Sequence, residues 1–240
     1  MQIATTGMTL PEGKFKYEDP ILSALADKFS PKKVTPYYFE FLPDDYESAS
    51  IIVITRDRIL DLLIHDIEKV ETRRDRATDP QERTLLDGIL ADLEREIPVC
   101  AQSLEEGERA MIRALSPLSF KPTAVVDVDT GDANEAIAHG LDPNGIILRA
   151  MAAANLMFFY TAGKKEVHAW LVSRGTNAQG CAGKIHSDLA QGFVKAEIIP
   201  ATELLKCHSL QDARQRNLTR LVDRDFIIPE DIVLEIRFNL

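Results

Sequence analysis

The chain opens MQIATTGMTLPEGKFK, and Gly7 with the pair Gly13–Lys14 stands almost where a phosphate-binding loop would place them. Such a loop reads Gly-x-x-x-x-Gly-Lys-Ser/Thr. Backbone amides wrap the phosphates, the lysine neutralises them and the hydroxyl holds magnesium. Here five residues separate Gly7 from Gly13, one too many, and Phe15 occupies the hydroxyl position. KYEDP follows at once, so the helix whose N-terminus would face the phosphates is missing. Gly7, Gly13 and Lys14 are therefore expected to be relic positions that hold no nucleotide, metal or other cofactor.

Other residues invite chemistry more weakly. KIHSDL sets His186, Ser187 and Asp188 side by side, but adjacent side chains diverge and cannot form a triad. Lys164, Lys165, Arg174, Lys184 and His186 could line a recognition surface for RNA or a protein. His168 and Trp170 alternate with their neighbours in a strand pattern, and Trp170 is expected in the core. DVDTGDANE is rich in aspartate yet lacks the ligand positions of a calcium loop. Cys100, Cys181 and Cys207 are odd in number and widely spaced, which argues against a disulfide framework or a zinc site.

Length and charge bound the rest. The 240 residues suffice for one large domain or two to three small ones, and the net charge is −10. That charge is uneven: 17 basic and 28 acidic residues precede Tyr160, while 11 basic and 10 acidic residues lie from Tyr160 onward. A phosphate backbone would be repelled by the first part and tolerated by the second. No secretory leader and no membrane span is legible, so a cytoplasmic, soluble protein is expected.

The elements that must position these residues follow from periodicity. Residues 2–6 read as a strand, PILSALADKF as a helix with Pro20 in its first turn, and YYFEFL and SASIIVIT as strands. Leu60, Leu63, Ile67 and Val70 form one helical stripe, and Leu86, Ile89, Leu93 and Ile97 a second. TDPQE links them, with Asp79 as cap and Pro80 at the first helical position, so an antiparallel, coiled-coil-like hairpin is predicted. Ser103 and Glu106 suggest a capping box that opens a helix to Leu115. KPTAVVDVD reads as a strand, and residues 143–159 as an apolar helix. EVHAWLVS, VKAEIIP and IVLEIRFNL read as strands, with a short helix in AQGCAGKIHSDLAQGF and a polar helical stretch from Thr202 to about Arg220.

The phrases TAGKKEVHAW, RGTNAQGCAGKIHSDLAQGF and KAEII, with the closing DIVLEIRFNL, closely resemble the TGS domain of the YchF/Obg-like ATPase family, over residues 146–240. Upstream, EDPILSALADKFSPKKVTPYYFEF, IHDIEKVETRRDR and LSFKPTAVVDVD resemble that family more weakly. The resemblance implies a shortened, α+β multi-domain member. Residues 1–58 and 117–145 would form a remnant P-loop-type α/β core, residues 59–116 an inserted helical hairpin, and residues 146–240 a β-grasp TGS domain. Two further family motifs are altered here. PDDYESAS replaces the Asp-x-x-Gly switch, with Asp44 and Asp45 near its metal-side aspartate. Asp127 and Thr130 stand at the Asn and Glu positions of the base reader, and an ionised aspartate lacks the amide donor a purine needs.

The resemblance thus implies a non-catalytic binding module of the translation machinery, a pseudo-GTPase touching ribosome or RNA through the TGS domain. Two alternatives stay open: an ATP or GTP hydrolase with an altered loop, and a protein scaffold that docks a partner or pairs with itself through the hairpin.

Overall fold

The computed structural model describes residues 1–127 and 142–239. It divides into two compact units, Met1–Phe15 with Phe39–Ala154, and Lys16–Tyr38 with Asn155–Leu240. The segment Lys16–Tyr38, read from sequence as part of the N-terminal core, groups with the C-terminal unit.

The first unit holds a five-stranded sheet ordered β2-β4-β1-β5-β6. Its strands are β1 (Gln2–Thr6), β2 (Gly13–Lys16), β4 (Tyr38–Pro43), β5 (Ile51–Thr55) and β6 (Thr123–Val126). β1 runs parallel to β4 and β5, and β5 parallel to β6. All five β5 residues are buried, as an interior strand with parallel neighbours on both sides and both faces covered requires. Helices α2 (Ile59–Arg76) and α3 (Pro80–Glu94) pack through Leu63, Val70, Leu86, Ile89 and Leu93. Asp79 accepts from the Gln81 N–H at 3.1 Å, capping α3. Helix α4 (Glu106–Leu115) and helix α5 (Pro143–Ala153) complete the unit.

Some elements depart from the sequence expectation. On α2, Leu60 is exposed, and the buried face is Ile59, Leu62, Leu63, Asp66 and Val70. A search for apolar periodicity passes over Asp66, yet its carboxylate is fully buried and accepts from the Leu118 and Ser119 N–H groups at 2.6 and 2.8 Å. The capping box of α4 is formed by Glu105 and Glu108, not Ser103 and Glu106. Residues 143–159 are not one helix: α5 ends at Ala153, Asn155 turns left-handed at φ 52°, and a strand follows. All five residues of Leu156–Tyr160 are buried, as in an interior strand covered on both faces, and Phe158, Phe159 and Tyr160 favour that state. Thr202–Arg220 splits into two short helices because Ser209 caps a new one, accepting from the Asp212 N–H at 3.1 Å.

The second unit holds a six-stranded sheet ordered β10-β9-β11-β7-β8-β3. Its strands are β3 (Lys33–Thr35), β7 (Leu156–Ala162), β8 (Glu166–Ser173), β9 (Phe193–Pro200), β10 (Arg220–Val222) and β11 (Ile232–Phe238). β7–β8, β9–β11 and β9–β10 pair antiparallel, and β7–β11 and β3–β8 pair parallel. One face carries a core of Met157, Phe159, Phe193, Ile198 and Leu234 under helices α6 (Ala178–Ile185) and α7 (Ser187–Gln191). Helix α1 (Pro20–Phe29) and the short helices α8 (Ala201–Leu205) and α9 (Leu210–Gln215) also belong to this unit. No helix among the described residues is long and apolar enough to cross a membrane.

Candidate functional site

In the first unit, Gly13 and Lys14 begin strand β2 at the edge of the sheet. Lys14 is exposed there, and Phe15 packs its ring on Phe41 with centroids 6.0 Å apart. A lysine held in an extended edge strand cannot curl over a phosphate the way one at a helix start does. Gly7 ends β1 with φ +80°, and a Cβ there would lie 1.8 Å from Thr55 Oγ1. Only glycine satisfies both the backbone angle and that close approach. The Thr55 hydroxyl beneath it is buried and has no hydrogen-bond partner among the described residues.

The other altered positions are engaged locally. Thr6 Oγ1 donates to Asp44 Oδ1 at 2.8 Å, and the Ser48 N–H donates to Asp45 at 3.0 Å. Asp127 accepts from Arg56 Nε at 3.0 Å on the surface. Thr130 and the rest of DVDTGDANE lie outside the described residues. No cluster of metal-ligating side chains occurs among the described residues. Cys181 and Cys207 are buried and Cys100 half-buried; burial pushes the Cys181 thiol up to about 12.

In the second unit, the five residues singled out for recognition do not form one patch. Lys164 and Lys165 lie exposed in the turn between β7 and β8. Arg174 stands past the other end of β8, roughly 30 Å away at strand rise. It donates to both Glu230 oxygens, at 2.6 and 2.8 Å, so its charge is already matched. Lys184 is exposed in the last turn of α6. His186 caps α7, its Nδ1 accepting from the Asp188 N–H at 3.1 Å. Ile185, between these two, lines the same groove as Lys164 and Lys165.

Sequence reasoning missed a third lysine beside the turn. The Lys32 N–H donates to the Lys164 carbonyl at 3.1 Å, and β3 adds in register to β8, Lys33 opposite Glu166. Glu166 accepts from Lys33 at 2.8 Å and Thr35 at 2.5 Å, which holds its carboxyl below the usual range. Lys32, Lys164 and Lys165 have no carboxylate partner among the described residues. Trp170 is half-buried rather than sealed in the core, and its ring stacks on His168 at 3.6 Å and on Phe159 at 6.3 Å. Its Nε1 donates to Thr161 Oγ1 at 3.0 Å. No local signal marks Lys32 as part of this group, because only the parallel β3–β8 pairing brings it there.

Comparison with known proteins gives this geometry a setting. Residues 156–239 match the family model "YchF-GTPase_C: Protein of unknown function (DUF933)". The ribosome-binding ATPase YchF of Mycoplasma genitalium is 42% identical over 97 residues, 40% of this chain and 26% of that protein. The ribosome-binding ATPase YchF of Escherichia coli O157:H7 is 26% identical over 221 residues, 74% of this chain and 61% of that protein. The solved structure of the Schizosaccharomyces pombe YchF GTPase shares the fold, with a TM-score of 0.72 at 17% identity, covering 96% of this chain and 89% of that one. The matched stretch spans about a quarter of the length of the Mycoplasma genitalium and Haemophilus influenzae relatives. Residues 156–239 thus match a YchF-type C-terminal region, and the chain is similar to the YchF/Obg-like ATPases.

Proposed function

We propose that this chain is a translation-associated binding protein that contacts the ribosome, its RNA or a ribosomal protein through the second unit, without hydrolysing nucleotide. The observation that carries this reading is that Lys32, Lys164 and Lys165 meet at the β7–β8 turn with no carboxylate partner among the described residues. The names of the relatives, ribosome-binding ATPases, support the same partner. Charge supports the choice of unit. Lys16–Tyr38 with Asn155–Leu240 holds 15 basic and 13 acidic residues; the other unit holds 13 and 25. Only the former can approach a phosphate-rich surface without net repulsion.

In this reading the second unit is a β-grasp TGS domain widened at one edge by β3, and α2 to α4 are the inserted helical arm. The first unit is a frame. Lys14 in a strand, Phe15 in place of a hydroxyl and Asp127 tied to Arg56 all support the loss of phosphate, magnesium and base contacts.

Two measurements test it. Co-sedimentation with ribosomes at about 50 and 200 mM salt should give a bound fraction that falls steeply with salt. Isothermal titration with ATP and GTP in magnesium should give no binding. Micromolar nucleotide affinity would overturn the non-hydrolysing reading, and absence from the ribosomal fraction at every salt would overturn the partner.

A further inference from the structure

Strands β7 and β11 lie side by side but meet at one registered pair, Tyr160 with Val233. β11 pairs with β9 throughout, from Ile232 to Phe238. Past Tyr160 the sheet therefore opens. Thr161 to Lys165 form one wall of a groove of about 540 Å³, and Leu234, Glu235, Ile236 and Phe238 the other. Its lining comes from both faces of the sheet, Glu197 from one and Trp170 from the other, so the groove passes between the strands rather than lying on them. The volume is within the range that holds a ligand or a short peptide segment, ~300–1,000 Å³.

Charge selects the occupant. The groove's three acidic side chains are already satisfied. Glu166 is held by Lys33 and Thr35. Glu197 accepts from Arg214 and Arg237, and Glu235 from Arg214. Lys164 and Lys165 at the mouth are not matched by any carboxylate among the described residues. An incoming chain meets strand edges in the wall, apolar Ile236 and Phe238 beside them, and positive charge at the rim.

We propose that this opening in the sheet binds an extended, acidic segment of a partner protein, its backbone pairing along the β11 edge and its carboxylates meeting Lys164 and Lys165. The inference rests on reading the second unit as the binding unit. Strand addition takes affinity from main-chain hydrogen bonds, and past Val233 β11 has no registered pairing with β7 on its groove side. Single-stranded RNA suits the groove less well. It stacks successive bases on free aromatic faces, and with the Trp170 ring already stacked on His168 and Phe159 only Phe238 of the groove's lining is left for that role.

Trp170 is the single tryptophan of the chain, so its emission reports on the groove directly. The probes are Ac-Glu-Val-Glu-Val-Glu-amide, its lysine counterpart, and hexauridylate RNA, each titrated into the full chain at low salt. The expected result is a saturable change with the acidic peptide and binding at least ~tenfold weaker for the lysine peptide. The double substitution Lys164→Glu/Lys165→Glu should weaken the acidic peptide by ~tenfold or more, while Arg174→Glu stays within about twofold. No saturable change with the acidic peptide overturns the inference. So does hexauridylate binding that exceeds the peptide's and disappears in the double variant. Ribosome co-sedimentation of the same preparation separates the two readings: a retained ribosomal fraction with no peptide binding sinks only the peptide site, and peptide binding with no ribosomal fraction sinks only the ribosomal partner.

Discussion

The N–H of Lys32 donates to the carbonyl of Lys164 at 3.1 Å, joining the segment after α1 to the tip of the β7–β8 hairpin. Through that bond, two sequence-distant stretches present their lysines at one place. Lys32→Glu together with Lys164→Glu and Lys165→Glu should cut ribosome co-sedimentation severalfold and flatten its salt dependence. All three side chains are exposed, so stability should stay within about 0.5 kcal/mol, read by urea unfolding. Unchanged co-sedimentation would remove the turn from the contact surface.

Asp19 ties α1 to the sheet of its unit. It accepts from the Ile21 and Leu22 N–H groups at 2.9 and 3.0 Å, and from the Tyr160 hydroxyl at 2.8 Å. Tyr160→Phe should cost about 1–2 kcal/mol by leaving a buried carboxylate oxygen without its donor. Asp19→Ala removes the cap as well and should cost about 2–3 kcal/mol. Equal, negligible effects in denaturant titration would show that the pair does not hold the helix.

Asp231 carries a pH dependence of known sign. Burial, then the charges of Glu230 and Asp19, push its carboxyl up to about 6. The folded state therefore binds this proton more tightly than the unfolded one. The group opposes folding as pH rises through the interval from its ordinary value to about 6. Asp231→Asn should stabilise by about 1 kcal/mol above pH 6, discounted for partial exposure, and by nothing below ~pH 4. Asparagine also tolerates the left-handed backbone at this position, φ 60°. A stabilisation independent of pH would refute the titration.

Glu197 behaves oppositely. Hydrogen bonds from Arg214, and further ones from Thr219 and Arg237, hold its carboxyl down to about 2 against the cost of burial. That stability is present above the ordinary glutamate range and is lost as pH falls toward about 2. Arg214→Ala should cost about 2 kcal/mol at neutral pH and less in acid, because protonation then relieves the unpaired charge. Melting at pH 7 and pH 3 measures the difference.

At the end of β1, Gly7→Ala should destabilise by more than ~2 kcal/mol, since it adds left-handed strain to a clash with Thr55. Thr55→Val should be neutral or stabilising by up to ~1 kcal/mol, because the hydroxyl it removes is buried and has no partner among the described residues. A large loss of stability in Thr55→Val would reveal a partner for that oxygen.

Much of the local architecture was legible in the residues. Pro20 after Asp19, and Pro80 after Asp79, announce helix starts that the structure places at those residues. The alternation of EVHAWLVS and the apolar run IIVIT read directly as strands. Wherever tertiary packing overrides local preference, the reading slipped. Leu156–Tyr160 joins a sheet instead of extending α5, and Asp66 sits in a core because two backbone donors await it.

Spacing alone showed that Gly7, Gly13, Lys14 and Phe15 depart from a phosphate loop, because that motif is contiguous and its chemistry depends on counting residues. The grouping of Lys32 with Lys164, the neutralisation of Arg174 by Glu230, and the parting of β7 from β11 after Tyr160 are another matter. Each depends on which distant segments pair and in what register. Pairing of that kind is settled by the burial of whole strands against one another, and no short stretch of residues encodes it.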